Sequence, residues 1–416
     1  MTSNPMHSKY FKKSVVLFFL ILSLSARKGY GETSPSGFAS ILKGNSWHIF
    51  PVPIFKTLPG EGQTYGVLAA ITAANNLHEL KAIIAPAETY NKVTGVSTFV
   101  AGFLYPSYDS VLYFFGELAH HFTREGTLRY SHFPKSKGSF IYEGEFSYLQ
   151  YPFERFFGFG AKTSTTTETN FVSEVFTGHE KIGYRFTPSI TGIYTFRVDS
   201  WQLHSKAIPE LADTLTTFAG NPEVVSSTNL TNRLEFQYDT HPDPNFSETG
   251  EFLNFAYLAS LQSLGSAFTF HGYDLHAKLT RSFRGGRFTS VVFAQLEQRF
   301  GTSIPFYLQS SLGGLRTLRA FIDRRFTARH RFSLDFEERI EVFQKRIFDT
   351  EVALSLDPFF SLGQVFDHFS DINTPQIQPV GGFGIRMKAK PSVVGRLDIG
   401  FGREGMETYA TIDYPF

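Results

Sequence analysis

The chain has 416 residues, a formal net charge of +1 and no cysteine. The charge balance offers no basic or acidic excess that would argue for nucleic acid. Without cysteine there are no disulfides, thiolate metal sites or lipid attachment at a lipoprotein cysteine.

At the amino terminus Lys9, Lys12 and Lys13 precede an apolar core from Val15 to Leu24, and small and polar residues follow. A positive lead and an apolar core of about ten residues fit a secretory signal and are too short to span a bilayer. The signal is placed at residues 1–31, with Ala26 and Gly31 as alternative cleavage points. No run of eighteen apolar residues follows it, so an exported chain without transmembrane helices is expected. Residues 32–46 form a short periplasmic lead-in, too small for a folded domain of its own.

From Trp47 to Phe416 the pattern is period two. Its 47 phenylalanines, 19 tyrosines and 35 glycines favour strands, because rings fit a pleated surface. Leu253, Phe255, Tyr257, Ala259 and Leu261 share one face, with Asn254, Ala256, Leu258, Ser260 and Gln262 on the other. Farther on, Phe332, Leu334, Phe336, Ile340 and Val342 oppose Arg331, Ser333, Asp335, Glu337, Arg339 and Glu341, and Glu338 is the misfit. Transmembrane strands need about 9–11 residues, apolar outward and polar inward. Alternation of that length, recurring with no helix to cap it, predicts an all-β, transmembrane antiparallel β-barrel over residues 47–416, of about 16 strands. The longest polar interval, about Ser205 to Leu230, is a predicted outer loop.

Between two predicted strands lies Gly301 to Arg325, where Gly313-Gly314 permits a turn that a side chain would obstruct. Arg316, Arg319, Arg324, Arg325 and Arg329 follow the glycine pair. Alone, such a segment reads as an exposed basic hairpin loop. At the carboxy terminus Phe416, Tyr414, Ile412, Ala410 and Thr408 share a face, and a terminal aromatic residue closing an alternating strand is what an outer-membrane barrel presents to its assembly machinery.

These stretches resemble the bacterial surface antigen barrels related to BamA and TamA. Gly313, Gly314, Arg319 and Phe321 match that family's Gly-Gly, spacer, Arg-Gly-Phe/Tyr loop, with Ala320 where glycine is usual. Gly301, Pro305 and Phe306 fit the approach to the loop. Asp239-Thr240, Pro244 and Gly250 resemble the Asp-Thr-Arg…Pro…Gly turn, with His241 replacing arginine. Glu337-Glu338-Arg339 resembles the Glu-x-Arg strand, and Gly382-Phe383-Gly384-Ile385-Arg386 and Phe416 complete the series. Two departures stand out. Ser361 replaces the aspartate of the family's Phe-x-Asp-x-Gly stretch, and the periplasmic polypeptide-transport domains common in the family have no room ahead of the barrel.

The resemblance implies that the arginine loop folds into the lumen. By alternation Asp335, Glu337 and Arg339 on one strand, and Ser355, Asp357 and Ser361 on the next, face that lumen. A loop arginine then reaches Glu337 or Asp357 as a charge-assisted pair, and Arg319 is predicted to pair with Glu337. The implied role is biogenesis at a Gram-negative-type outer membrane: assisting insertion or translocation of protein or lipid, with no cofactor. The expected partners are outer-membrane lipid, the barrel assembly machinery during the chain's own insertion, and client outer-membrane proteins or a separate periplasmic chain. Ile412, Tyr414 and Phe416 form the expected carboxy-terminal assembly signal.

A passive pore or structural barrel stays open as an alternative, as does a barrel enzyme. For the enzyme there is no Gly-x-Ser-x-Gly elbow and no His-Glu-x-x-His. His368-Phe369-Ser370 has the spacing seen in some outer-membrane acyl hydrolases but reads as a polar loop with no third member. No metal site is expected: His120-His121, at a strand end, are read as pointing to opposite faces. Gly158-Phe159-Gly160 lacks the context of a phosphate cradle and reads as a kink or close approach inside the barrel.

Overall fold

Long period-two segments with polar residues on one side must hide that side from lipid, and a sheet curled on itself does so. The computed structural model describes residues 46–75, 80–241, 249–347, 350–389 and 393–412. The signal, almost all of the lead-in, Pro244, Tyr414 and Phe416 lie outside these residues.

The first strands are β1 (Ser46–Leu58), β2 (Gly62–Ala74), β3 (Leu80–Asn91), β4 (Gly95–Ser107), β5 (Ser110–Ala119) and β6 (Arg124–His132). Then come β7 (Phe140–Phe156), β8 (Thr169–Arg185), β9 (Ile190–His204), the two-residue β10 (Ala212–Asp213), β11 (Ser227–Asp239), β12 (Gly250–Ser260), β13 (Phe270–Phe283) and β14 (Phe288–Phe300). After two short strands, β15 (Ser310–Leu312) and β16 (Phe326–Ala328), the chain finishes with β17 (His330–Ile347), β18 (Thr350–Phe366), β19 (Gln378–Ala389), β20 (Val393–Gly402) and β21 (Gly405–Ile412).

All but β15 and β16 belong to one 19-stranded sheet. Each long strand runs antiparallel to the next in sequence, while β10 pairs in parallel with β8. β15 and β16 make a separate hairpin. β1 and β21 come into contact, yet among the described residues no hydrogen-bonded ladder joins them. Setting β10 aside leaves eighteen long strands among the described residues, against the sixteen or so expected. The excess comes from hairpins whose turns barely interrupt the alternation, such as Tyr108-Asp109 between β4 and β5.

The long connections, 157–168, 205–226, 261–269, 301–329 and 367–377, gather at one end of the sheet, which also carries the short turns 59–61 and 403–404, and the tight turns 108–109, 186–189 and 284–287 lie at the other. In barrels of this type the long loops lie outside the cell and the tight turns in the periplasm. Burial is inverted relative to a water-soluble sandwich. On β12, Leu253 and Phe255 are 46% and 44% exposed, whereas Asn254 between them and Ser260 on the same inward face are buried. On β17, Phe336 faces out while Asp335 and Glu337 are buried. A continuous apolar exterior suits lipid and is untenable in water. Rings crowd both rims: Phe140, Tyr184 and Phe186 at the tight-turn end, and Tyr273, His271 and Phe300 at the long-loop end. Glu338 does point outward, and Ser290 Oγ donates to it at 2.5 Å from the neighbouring strand, so the carboxylate is not bare.

The exterior can be tested. Phe255→Arg, midway along β12, should cost about 2–4 kcal/mol, and Leu261→Arg at the rim no more than about 1 kcal/mol. Denaturant titration of the barrel in lipid vesicles measures both, and equal costs would contradict the assigned depth.

Candidate functional site

The site is built by the connection between β14 and β17, which turns into the lumen. Its approach, Ile304 to Tyr307, is almost fully buried. β15 and β16 pair Ser310 with Ala328 and Leu312 with Phe326 to make a stalk. Past the stalk Gly313 and Gly314 adopt φ of 109° and 92°, a region closed to most side chains. A Cβ on Gly313 would stand 2.3 Å from the Ile322 carbonyl oxygen, so the turn requires glycine there. The tip closes on itself: Gly314 N–H donates to Phe321 O at 2.8 Å, and Thr317 Oγ1 donates to Gly313 O at 3.1 Å.

From this tip Arg319 enters the wall and is buried. Its Nη1 donates to Glu337 Oε2 on β17 at 2.8 Å and lies 3.5 Å from Asp398 Oδ2 on β20. Its guanidinium sits 3.5 Å from the ring centroid of Phe359, on β18, where the ring's electron-rich face adds to the attraction. Glu337 also accepts from Arg339 Nε at 2.9 Å and from Arg386 Nη2 at 3.4 Å. Arg386 stands 2.6 Å from Asp398 and 3.5 Å from Asp357. Arg396 donates through Nε to Asp398 at 2.9 Å and through Nη2 to Leu315 O in the loop at 2.9 Å.

The wall surrounds Glu337, Asp357 and Asp398 with Arg339, Arg386 and Arg396, and Arg319 joins this network from the loop through Glu337 and Asp398. Ions out of water are tolerated only when paired and hydrogen-bonded. The structure therefore brings Gly313, Gly314, Arg319, Phe321, Glu337 and Arg339 together. It places Asp357 with Arg386 instead of with the loop arginine, and Asp335 across the β17–β18 ladder from Ser361. Ser361 is buried in the wall. Ile412 ends β21, while Tyr414 and Phe416 lie outside the described residues.

The sequence reading missed Asp398, Arg396 and Tyr409 and gave Arg386 and Phe359 no role. Arg386, Arg396 and Asp398 sit at inward positions of alternating strands, so their direction was readable. Their convergence on one arginine was not, because β17 and β20 are far apart in sequence. Tyr409 Oη, on the last strand, donates to Phe321 O at 2.5 Å. Gly400 makes room for the loop, since a Cβ there would lie 2.4 Å from Arg319 O.

Above the stalk the outer loops share a small core. Phe156, Phe171, Trp201, Val224, Phe306 and Tyr307 cluster there, with the Trp201 and Tyr307 rings stacked at 4.4 Å and 14°. Tyr307 Oη donates to Val225 O at 2.9 Å, and Arg324 Nη2 to Phe306 O at 2.7 Å. Gly160 N–H donates to Thr327 O at 2.7 Å, so the Gly158-Phe159-Gly160 stretch belongs to an outer loop that grips the stalk. The lumen wall carries further ionic groups. Asp274 accepts from Arg299 at 2.6 Å and also from Arg233, while Glu143 accepts from Lys181 at 2.8 Å and lies 3.1 Å from His179.

Other motifs resolve locally. At the β11–β12 turn His241 lies 2.7 Å from Asp239, and Glu251 N–H donates to Thr240 Oγ1 at 2.8 Å. His120 and His121 follow the end of β5 with ring centroids only 4.2 Å apart, a correction to the opposite-faces reading, because the strand stops at Ala119. No group of three or more His, Cys, Asp or Glu side chains is placed to hold a metal among the described residues. In the His368–Ser370 loop, Asp371 accepts the backbone N–H of His368 at 2.9 Å.

Arg319→Ala should destabilise the barrel by about 3–5 kcal/mol, because it removes a buried ionic partner shared by Glu337 and Asp398 together with the stacking on Phe359. Arg319→Lys should recover only part of this, as a point charge cannot match the planar fork or its stacking on Phe359. Denaturation followed by Trp201 fluorescence checks both, and a loss below about 1 kcal/mol for alanine would show the pair to be solvated.

No protein-family model matches the chain, and no curated protein sequence matches it. Solved structures do. BamA from Haemophilus ducreyi lacking POTRA domains 1–3 superposes with a TM-score of 0.53 at 13% identity, over 89% of this chain and 70% of that one. CdiB from Escherichia coli gives 0.48 at 12% identity over 88% and 62%, and Pseudomonas aeruginosa OccK5 gives 0.40 at 8% over 90% and 98%. With the first of these the chain shares its fold, an outer-membrane type of antiparallel β-barrel.

Proposed function

We propose that this protein is an outer-membrane barrel of the BamA/TamA-like type that assists insertion or translocation of proteins, or of lipid, without chemical catalysis. The observation that carries the reading is the loop arginine anchored in the lumen wall by Glu337 and Asp398. A loop that merely narrowed a pore would need no such buried ionic seat, whose desolvation cost is repaid only by close pairing.

Two further features support the reading. β1 and β21 touch without a ladder among the described residues, which leaves the sheet a weak edge where an incoming strand has backbone groups to pair with. At the outer end the loops pack into an apolar cluster around Phe306 and Tyr307, which holds the approach to the arginine loop against the wall. In this reading the chain works in lipid at a Gram-negative-type outer membrane, reached by a cleaved amino-terminal signal and with help from the barrel assembly machinery. It acts on client outer-membrane proteins or with a separate periplasmic chain.

The test is assisted folding in liposomes. Protein-containing vesicles should speed the folding of a second outer-membrane protein relative to empty vesicles, and Arg319→Ala should abolish most of the gain. No acceleration by well-folded wild type, together with steady ion conductance, would instead favour a passive pore.

A further inference from the structure

We infer that the arginine loop is a strap across the outer end of the β1–β21 seam, holding the two edges of the sheet to each other. The inference rests on the geometry of the seam and not on the proposed assembly role. Its evidence is that neighbouring residues of the loop tip touch opposite sides of the seam.

On the β21 side the contacts are polar and close. Phe321 O accepts the hydroxyl of Tyr409, which is itself buried. Arg325 donates through Nε and Nη2 to Glu404, in the turn between β20 and β21, at 2.7 and 2.6 Å. Ala320 and Phe321 press on Gly402, where an added Cβ would meet Ala320 Cβ at 3.0 Å.

On the β1 side the next residue, Ile322, lies over the turn that joins β1 to β2. A Cβ on Gly60 would stand 2.5 Å from Ile322 Cδ1, so side chain and turn are in direct contact. That turn is also held by Arg155 Nη2, which donates to Gly60 O at 2.8 Å. The strap therefore ends on a supported surface.

The physical consequence follows from the absence of a ladder between β1 and β21 among the described residues. Two antiparallel strands without shared hydrogen bonds keep their relation only through side chains and through whatever spans them. Here the span is a short loop tip whose position is set by Arg319. To part β1 from β21 at the outer end, Ile322 must leave Gly60 or Phe321 must leave Tyr409. The strap thus couples the buried ionic seat to the freedom of the seam.

Backbone hydrogen exchange of the full barrel in lipid nanodiscs tests this, with each variant scored on the strand across the seam from the change. Tyr409→Phe removes one hydroxyl on β21 and is scored at β1. Ile322→Ala trims the contact with the β1–β2 turn and is scored at β21. Losing a contact worth one ordinary hydrogen bond should speed exchange at the scored strand roughly three- to tenfold, with β8 and β9 unchanged. Wild-type exchange at both scored strands would overturn the strap, and so would an equal rise in β8 and β9, which reports general loosening. Client insertion does not enter this readout, so failure of the strap and failure of the assembly role are separate results.

Discussion

The structure depends on one buried cation. Arg319 sits at the end of a loop that would otherwise be free to extend into water, and the lumen wall holds it with Glu337 and Asp398. Neither half is stable as a buried object alone. Without the arginine the wall loses a buried partner of Glu337 and Asp398, and the arginine out of water needs an anion. The interaction is thus less a decoration of the barrel than a condition on how its inside is filled.

That seat positions everything above it. With Arg319 fixed, Gly313 and Gly314 turn the chain back, the β15–β16 stalk forms, and Phe306 and Tyr307 are delivered to the outer-loop core beside Trp201. Arg325 reaches Glu404 and also Thr163, at 2.8 Å, which ties the β7–β8 loop to the last hairpin. A single ionic contact near the lumen wall thereby sets the geometry of a cap built from three loops widely separated in sequence.

The departures from the resembled family acquire a physical account. Ser361 removes an acid from β18, yet Asp335 stands directly across the ladder from it and Asp398 lies within reach of Arg319. In the same way Ala320, where glycine is usual, is accommodated because the opposing positions, Gly400 and Gly402, carry no side chain.

Much of this was legible from residues alone. Period-two alternation fixes which side of each strand meets lipid, because successive side chains must point opposite ways, and so the inward direction of Asp335, Glu337, Arg339, Asp357 and Ser361 needed no coordinates. Gly313-Gly314 likewise announced a turn by the conformations that only glycine reaches easily. Strand number was less legible, since a turn of two residues hardly disturbs the pattern. What only the tertiary structure decided is which inward groups meet. Arg396 and Asp398 meet the loop, and Tyr409 and Gly60 receive adjacent residues of its tip, because curling the sheet brings its first and last strands side by side. Alternation determines direction locally; partnership between distant strands is set by closure and charge balance in a space that no local pattern describes.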